Sequence, residues 1–208
     1  HLADIAGIPQ KKRPANPPVR HLSTAAVTAL LAAPDPATRT GLRDQFFMIL
    51  MYDLAARDAE MLALSVGDID TQRRSAELIG KGSKPRRLPI TADTAAHFRR
   101  YVDAFHPDTA LGQPLFYTIH GHRKTPMSDD NVARFLRQHA DTARKACPEM
   151  PRTVHPHMLR HSRAMHLYQA GMPLPILTEW LGHADPETTL IYAHADTEMK
   201  RAALEKAT

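Results

Sequence analysis

Apolar residues recur at helical spacing along most of the chain, and the first two runs lie close together. Ser23 is suited to cap a helix that runs to about Ala33, where Pro34 stops it. A second helix begins near residues 38–40. Its apolar positions are Leu42, Phe46, Phe47, Met48, Ile49, Leu50 and Met51. Apolar side chains on several faces predict that this helix lies at the centre of the core.

The next segment changes from helical spacing to short apolar runs separated by turn residues. Residues 76–79 and 86–90 predict two strands. The six residues between them, 80–85, include Gly, Ser and Pro, which favour a hairpin connection. We expect a small antiparallel sheet here.

The second half of the chain returns to helical patterns. Helices are predicted over 91–105, from Ser128 to about Ala146, from His157 to Gly171, over 175–181, from Pro186 through Tyr192, and over 197–206. Residues 107–126 predict irregular structure. The predicted fold is therefore mainly α with a small antiparallel β-sheet, in the α+β class.

Composition and charge indicate which kinds of binding partner and which cell compartment the chain fits. With 43% hydrophobic and 24% charged residues, the chain is ordinary for a globular protein. No apolar run approaches the ~20 residues that cross a membrane. Cys147 is the only cysteine, which fits a reducing cytoplasm. A formal charge of +5 favours a polyanionic partner.

Residues 1–20 differ from the rest because they combine several prolines with basic side chains. Proline density disfavours a helix, so this stretch predicts an extended basic linker. It fits either a solvated tail or a strap along a DNA backbone. Because the chain starts at His1 rather than Met, we expect a fragment of a longer protein, with residues 21–208 as its folded domain.

The candidate chemistry is concentrated between His155 and Tyr192. His157, Arg160 and His161 are three and four apart, so a helix places them on one face. Arg160 offers a planar fork for phosphate oxygens, and the histidines titrate near neutral pH. Tyr192 offers a hydroxyl nucleophile. Arginine, histidine and tyrosine without paired carboxylates predict phosphodiester chemistry that uses no metal.

This stretch resembles the catalytic box of the tyrosine recombinases, also called the phage integrase family. The family pattern of His-x-x-Arg, Gly-His and Tyr is matched by His157, Arg160, Gly182, His183 and Tyr192. The intervals between these residues also agree with those of bacterial members.

Two further segments are similar to family motifs. Arg57, with Glu60 three residues later, falls on the first-arginine box, although the same two residues would also fit a local surface ion pair. Lys81, in Gly80-Lys81-Gly82, falls on the lysine of the family's strand hairpin. The loop lacks the spacing of a nucleotide-binding loop. The resemblance covers nearly the whole chain after Arg20.

The resemblance implies a residue-by-residue mechanism. Tyr192 would attack a DNA phosphodiester to give a 3′-phosphotyrosyl protein and a free 5′-hydroxyl. The phosphate oxygens would be bound by Arg57, Arg160 and His183. Lys81 would protonate the leaving oxygen, and His157 would help to move the tyrosine proton. Glu60 would support Arg57, and His161 would support Arg160.

The resemblance also implies partners. We expect double-stranded DNA as substrate and a homo-tetramer on it, with no cofactor, metal or ATP. The chain would be the catalytic domain of an integrase or transposon recombinase, preceded by a core-binding domain in the longer protein. It would act on the nucleoid of a bacterial cytoplasm.

Three alternatives compete with this interpretation. A type IB topoisomerase uses similar groups, but the short interval from Gly-His to Tyr looks more like a recombinase. A non-catalytic DNA-binding module would be expected to have lost part of the set, which is complete here. A metal site could use His155, His157 and His161, but Arg160 would place a positive charge beside the cation.

Overall fold

The computed structural model describes residues 21–80, 82–108, 110–120, 123–183, 187–195 and 204–205. The helices are α1 (Thr24–Ala32), α2 (Arg39–Leu54), α3 (Asp58–Leu62), α4 (Ala92–Phe105), α5 (Asp129–Ala146), α6 (Pro156–Gln169), α7 (Leu174–Leu181) and α8 (Glu187–Ala195). The strands are β1 (Ile69–Asp70), β2 (Ser75–Ile79), β3 (Pro85–Pro89), β4 (Tyr117–His120) and β5 (Arg123–Pro126). The predicted fold class is confirmed.

Helix α2 lies at the centre of the core and packs against α1, α4 and α6. It begins where the Thr38 hydroxyl accepts a hydrogen bond from the Gly41 amide at 3.0 Å. Phe46 and Phe47 are fully buried. Phe46 stacks on Tyr101 of α4 with ring centroids 5.1 Å apart, and Phe47 packs edge-to-face on Phe116 with centroids 4.8 Å apart. The predicted central position of this helix is therefore confirmed.

The predicted hairpin is present as part of a three-stranded antiparallel sheet with the order β1-β2-β3. Ala76 and Leu78 of β2 point into the core, and their partners on β3 are Leu88 and Arg86. Inward positions therefore alternate on both strands. Lys81, between β2 and β3, lies outside the described residues.

The expectation of irregular structure over residues 107–126 was wrong. Strands β4 and β5 form a second antiparallel hairpin in this segment. Each has only four residues, too few for a clear alternation. Tertiary contacts define the hairpin instead: the Tyr117 hydroxyl donates to the Phe105 carbonyl, and the Lys124 ammonium lies 4.8 Å from the Tyr117 ring centroid.

Helices α6, α7 and α8 enclose a second, smaller apolar cluster, which borders the candidate site. Its buried members are Ala55, Ala164, Met165, Leu177, Leu181 and Tyr192. As predicted, α6 ends near Gly171, whose φ of 94° suits glycine. Helix α7 ends at Gly182, which is also left-handed. This cluster holds the helices that carry the motif.

Some predicted segments lie beyond the part of the chain that the structure describes. These are the linker over residues 1–20, Pro186, and all but residues 204–205 of the predicted final helix. None of the described helices combines the length and the apolar character needed to cross a membrane.

Candidate active site

Arg160 is the buried centre of the site, with only 1% of its surface exposed. It projects from α6, and its guanidinium donates to the Ala55 carbonyl at 2.5 Å and to the Leu181 carbonyl at 2.7 Å. These carbonyls belong to the ends of α2 and α7, where helices leave acceptors unsatisfied and favour cations. Burial and the neighbouring Arg57 lower the pKa of Arg160 to about 10, so it stays charged at neutral pH.

The Glu60 carboxylate organises the arginines of the site. It accepts from the Arg57 amide at 2.8 Å and from the Arg57 guanidinium at 2.9 Å. Arg86 binds both carboxylate oxygens at 2.8 Å, and Arg160 lies 4.0 Å away. Burial would raise the pKa of Glu60, but the hydrogen bonds from Arg86 and the Arg57 amide lower it to about 2. Glu60 is therefore an anion among three cations.

Arg57 differs from Arg160 in its accessibility. The turn after α2 passes through Ala55, whose φ of 48° is left-handed, and brings Arg57 to the N-cap of α3. About a third of its side chain is exposed, at 34%, against 2% for Arg160. The predicted ion pair with Glu60 is present. Since Glu60 uses few of the five N–H donors of Arg57, the others remain for a phosphate.

His183 is held between Arg160 and α8. The Arg160 guanidinium donates to Nε2 of His183 at 3.1 Å, so Nδ1 carries the ring proton and donates to the Thr189 hydroxyl at 2.9 Å. Burial and the charge of Arg160 lower the pKa of His183 to about 4. In this arrangement Nε2 is an acceptor, and it can donate to a phosphate only after Arg160 releases it and it has gained a proton.

Tyr192 lies on α8 with its side chain fully buried in the second apolar cluster. Its hydroxyl is 2.7 Å from Nδ1 of His161. Burial raises the pKa of Tyr192 to about 12, and burial together with His157 and Arg160 lowers that of His161 to about 4. Both groups are therefore neutral. In the tautomer of His161 that carries its proton on Nε2, the phenol donates to Nδ1, which is the arrangement of a nucleophile and its proton acceptor.

His157 lies at the exposed side of the site. Its ring packs edge-to-face on His161 with centroids 4.4 Å apart, and burial and Arg160 lower its pKa. The hydrogen bond to Tyr192 comes from His161 instead. The structure thus brings together Arg57, Glu60, Arg160, His161, His183 and Tyr192.

Arg86 is a member of the site that the sequence reasoning missed. A signal was available, since Arg86, Leu88 and Ile90 alternate along the inward face of the predicted strand. Arginine on an inward face is almost always paired, which would have pointed to a buried carboxylate.

The histidines of the alternative metal site make other contacts in the structure. His155 caps α6 by accepting from the Met158 amide at 3.2 Å, while His161 binds Tyr192. Within the described ranges, no group of three or more His, Cys, Asp or Glu side chains could hold a metal ion.

Comparison with known proteins identifies the family. The model of the phage integrase family matches residues 20–199. A tyrosine recombinase XerD of Neisseria meningitidis serogroup A is 34% identical over 168 residues, which cover 81% of this chain and 56% of the relative. The chain thus spans about half the length of that relative.

Two solved structures share the fold. The XerA recombinase superposes with a TM-score of 0.76 at 23% identity, covering 95% of this chain and 66% of the other. The XerH site-specific recombinase was solved in a post-cleavage complex with a palindromic difH substrate. It superposes with a TM-score of 0.73 at 21% identity, covering 91% of this chain and 53% of the other. Together with the family match, these findings show that the chain belongs to the phage integrase family, the tyrosine recombinases.

Proposed function

We propose that this chain is the catalytic domain of a site-specific DNA recombinase of the integrase or transposon type, which cleaves and rejoins DNA through a 3′-phosphotyrosyl intermediate. The observation that carries the proposal is the 2.7 Å contact between the Tyr192 hydroxyl and His161 beside Arg160. The XerH relative, which was solved after cleavage of its DNA, supports DNA as the substrate class.

The cleavage step follows from the chemistry of these groups. The Tyr192 oxygen forms a bond to phosphorus while its proton passes to Nδ1 of His161. The bond from phosphorus to the 5′-oxygen breaks, and that oxygen takes a proton from Lys81. Rejoining is the reverse step with a 5′-hydroxyl from another strand. Since the phosphotyrosyl ester retains the energy of the broken bond, the cycle requires no ATP.

The arginines around Glu60 would stabilise the transition state. The non-bridging oxygens gain negative charge as the tyrosine attacks, and charge-assisted bonds from Arg57 and Arg160 strengthen with it. These side chains do what a divalent ion does in many nucleases. His183 joins them once Arg160 turns from Nε2 to the phosphate and Nε2 gains a proton that it can donate.

The buried state of Tyr192 implies a conformational step before chemistry. Its side chain has no exposed surface, so a phosphate reaches it only after α8 shifts outward. We propose that DNA binding and assembly of a homo-tetramer on the nucleoid of a bacterial cytoplasm drive this shift. Residues 1–20 would link the domain to a core-binding domain that grips the opposite side of the duplex.

The test is capture of the covalent intermediate. The chain is incubated with a pool of nicked duplexes of random sequence, in which the cleaved fragment diffuses away and traps the enzyme. We expect an SDS-stable adduct for the unmodified chain and for Tyr168→Phe, a control at a half-buried tyrosine of α6. Tyr192→Phe should form none. DNA binding without any adduct would instead identify a non-catalytic module.

A further inference from the structure

Arg86 lies where the sheet meets the candidate site, and each nitrogen of its guanidinium has a partner. Nη1 and Nη2 donate to the two oxygens of Glu60, each at 2.8 Å, and Nε donates to the Trp180 carbonyl at 3.1 Å. Only 12% of the side chain is exposed. A forked pair of charge-assisted bonds fixes the carboxylate in orientation as well as in place.

Gly182 forms one wall of the Arg86 site. A Cβ built on Gly182 would lie 3.1 Å from Nη1 and 3.2 Å from Cζ of Arg86. The guanidinium therefore packs against the backbone of the residue that precedes His183. Together with the bond to the Trp180 carbonyl, this contact anchors the end of α7 to β3.

One side chain thus joins three of the segments that carry predicted motif residues. Strand β3 follows directly on the hairpin loop of Lys81. Glu60 holds both the amide and the guanidinium of Arg57, and the end of α7 leads into His183. A shift of Arg86 would move these segments relative to one another.

The charges give Arg86 a second effect. A carboxylate beside phosphate-binding arginines would neutralise them and weaken their hold on the substrate. Arg86 occupies both oxygens of Glu60, while Arg160 stays 4.0 Å from the nearer one. Because Arg86 balances the charge of Glu60, the charges of Arg57 and Arg160 remain for the scissile phosphate.

We propose that Arg86 is a positioning residue for DNA cleavage. Through Glu60 and the end of α7, it aligns Arg57, Arg160 and His183 on one phosphate. The inference rests on the proposed function, since it assumes that these groups bind the phosphate that Tyr192 attacks.

The experiment compares Arg86→Met and Arg86→Lys with the matched control Arg87→Met. Arg87 is the next residue on β3. Its side chain is 57% exposed, and its guanidinium pairs with the partly exposed Glu77. On DNA captured by the unmodified chain, the rate of adduct formation is measured at saturating DNA, with Kd and Tm alongside. Misplacement of catalytic groups by about 1 Å costs about 100-fold, which is the slowing expected for Arg86→Met.

Arg86→Lys keeps the positive charge but loses the forked pair of hydrogen bonds. We therefore expect its rate of adduct formation to lie between those of Arg86→Met and the unmodified chain. If Arg86→Met does not fold, Arg86→Lys carries the comparison. Arg87→Met should cleave at the unmodified rate. Kd should change little in any variant, because the scissile phosphate is only one of the several phosphates whose contacts determine the affinity for a duplex.

A neutral substrate separates positioning from a loss of structure. A methylphosphonate at the scissile position replaces one charged oxygen by a methyl group, so the transition state carries less negative charge for the arginines to stabilise. We therefore expect the penalty of Arg86→Met to shrink markedly on this substrate. Equal slowing on both substrates, accompanied by a lowered Tm, would assign Arg86 a purely structural role and overturn the proposal.

Two further outcomes distinguish a failure of the proposed function from a failure of the positioning role of Arg86. If the unmodified chain forms no adduct, the proposed function fails, and the role of Arg86 fails with it. If the unmodified chain forms the adduct and Arg86→Met reacts as fast as Arg87→Met, only the positioning role is overturned.

Discussion

The hydroxyl of Tyr192 on α8 lies 2.7 Å from Nδ1 of His161 on α6. The family resemblance assigned movement of the tyrosine proton to His157, one helical turn earlier. In the described arrangement His157 contacts the ring of His161 and not the tyrosine. We therefore propose as proton acceptor the residue that directly follows Arg160 in the chain.

This contact predicts unequal effects for the two histidines. His161→Gln removes the proton acceptor and should slow adduct formation by about 100-fold or more at neutral pH, within the usual range for general-base catalysis. His157→Gln should cost less, because its ring only supports His161. Single-turnover rates on a nicked duplex compare the two variants. The reverse order would mean that α8 changes partners when DNA binds.

The depressed pKa values of His161 and His183 predict that stability depends on pH. Both values are about 4 in the folded state, whereas an unfolded histidine titrates near about 6.5. Between these values the unfolded chain binds more protons, so the free energy of unfolding falls as pH drops from about 6.5 to about 4.

Thermal melts at several pH values measure this dependence. Tm should fall on acidification over that window and stay level above it. His161→Gln and His183→Gln should each flatten the curve. Glu60, with a pKa of about 2, contributes mainly below the window, because an unfolded glutamate titrates near about 4.3. A Tm that is constant down to pH 4 would contradict the buried, neutral histidines.

Cleavage should proceed in EDTA. In the proposed mechanism, Arg57 and Arg160 supply the positive charge that many phosphodiester enzymes obtain from a divalent ion. The measurement is the yield of covalent adduct with EDTA present, compared with added Mg²⁺. Strict dependence on the added ion, restored in proportion to its concentration, would favour metal chemistry.

The basic residues before the folded domain should change the salt dependence of DNA binding. Lys11, Lys12 and Arg13 lie in the predicted linker. If they track the DNA backbone, replacing all three with Gln should reduce the slope of log affinity against log salt by about 0.9 for each lost phosphate contact. Binding titrations at several salt concentrations measure this slope. An unchanged slope would identify a solvated tail.

Most of the helices could be predicted from local signals. Helix α5 begins directly after Ser128, whose hydroxyl caps it, and its buried stripe includes Val132, Phe135 and His139, as the spacing indicated. The β4–β5 hairpin could not be predicted in this way, because its short strands depend on contacts of Tyr117 with distant residues. Local spacing contains no information about such contacts.

In the candidate site, too, some features follow from local spacing and others only from tertiary packing. Helical spacing places His157, Arg160 and His161 on adjacent turns, and the motif orders them with His183 and Tyr192. Which histidine meets the tyrosine depends on how α8 packs, and the sequence alone does not determine that packing. The burial of Tyr192 and the partnership of Arg86 with Glu60 likewise arise only from the tertiary structure.

The central claim is that Tyr192 becomes covalently joined to the 3′ end of a cleaved DNA strand. Protease digestion of the trapped adduct, followed by mass spectrometry of the DNA-linked peptide, tests it directly. We predict a single phosphotyrosyl peptide that contains Tyr192 and carries the 3′ side of the break. An adduct mapped to Tyr168 or Tyr117, or one that persists undiminished in Tyr192→Phe, would contradict the account.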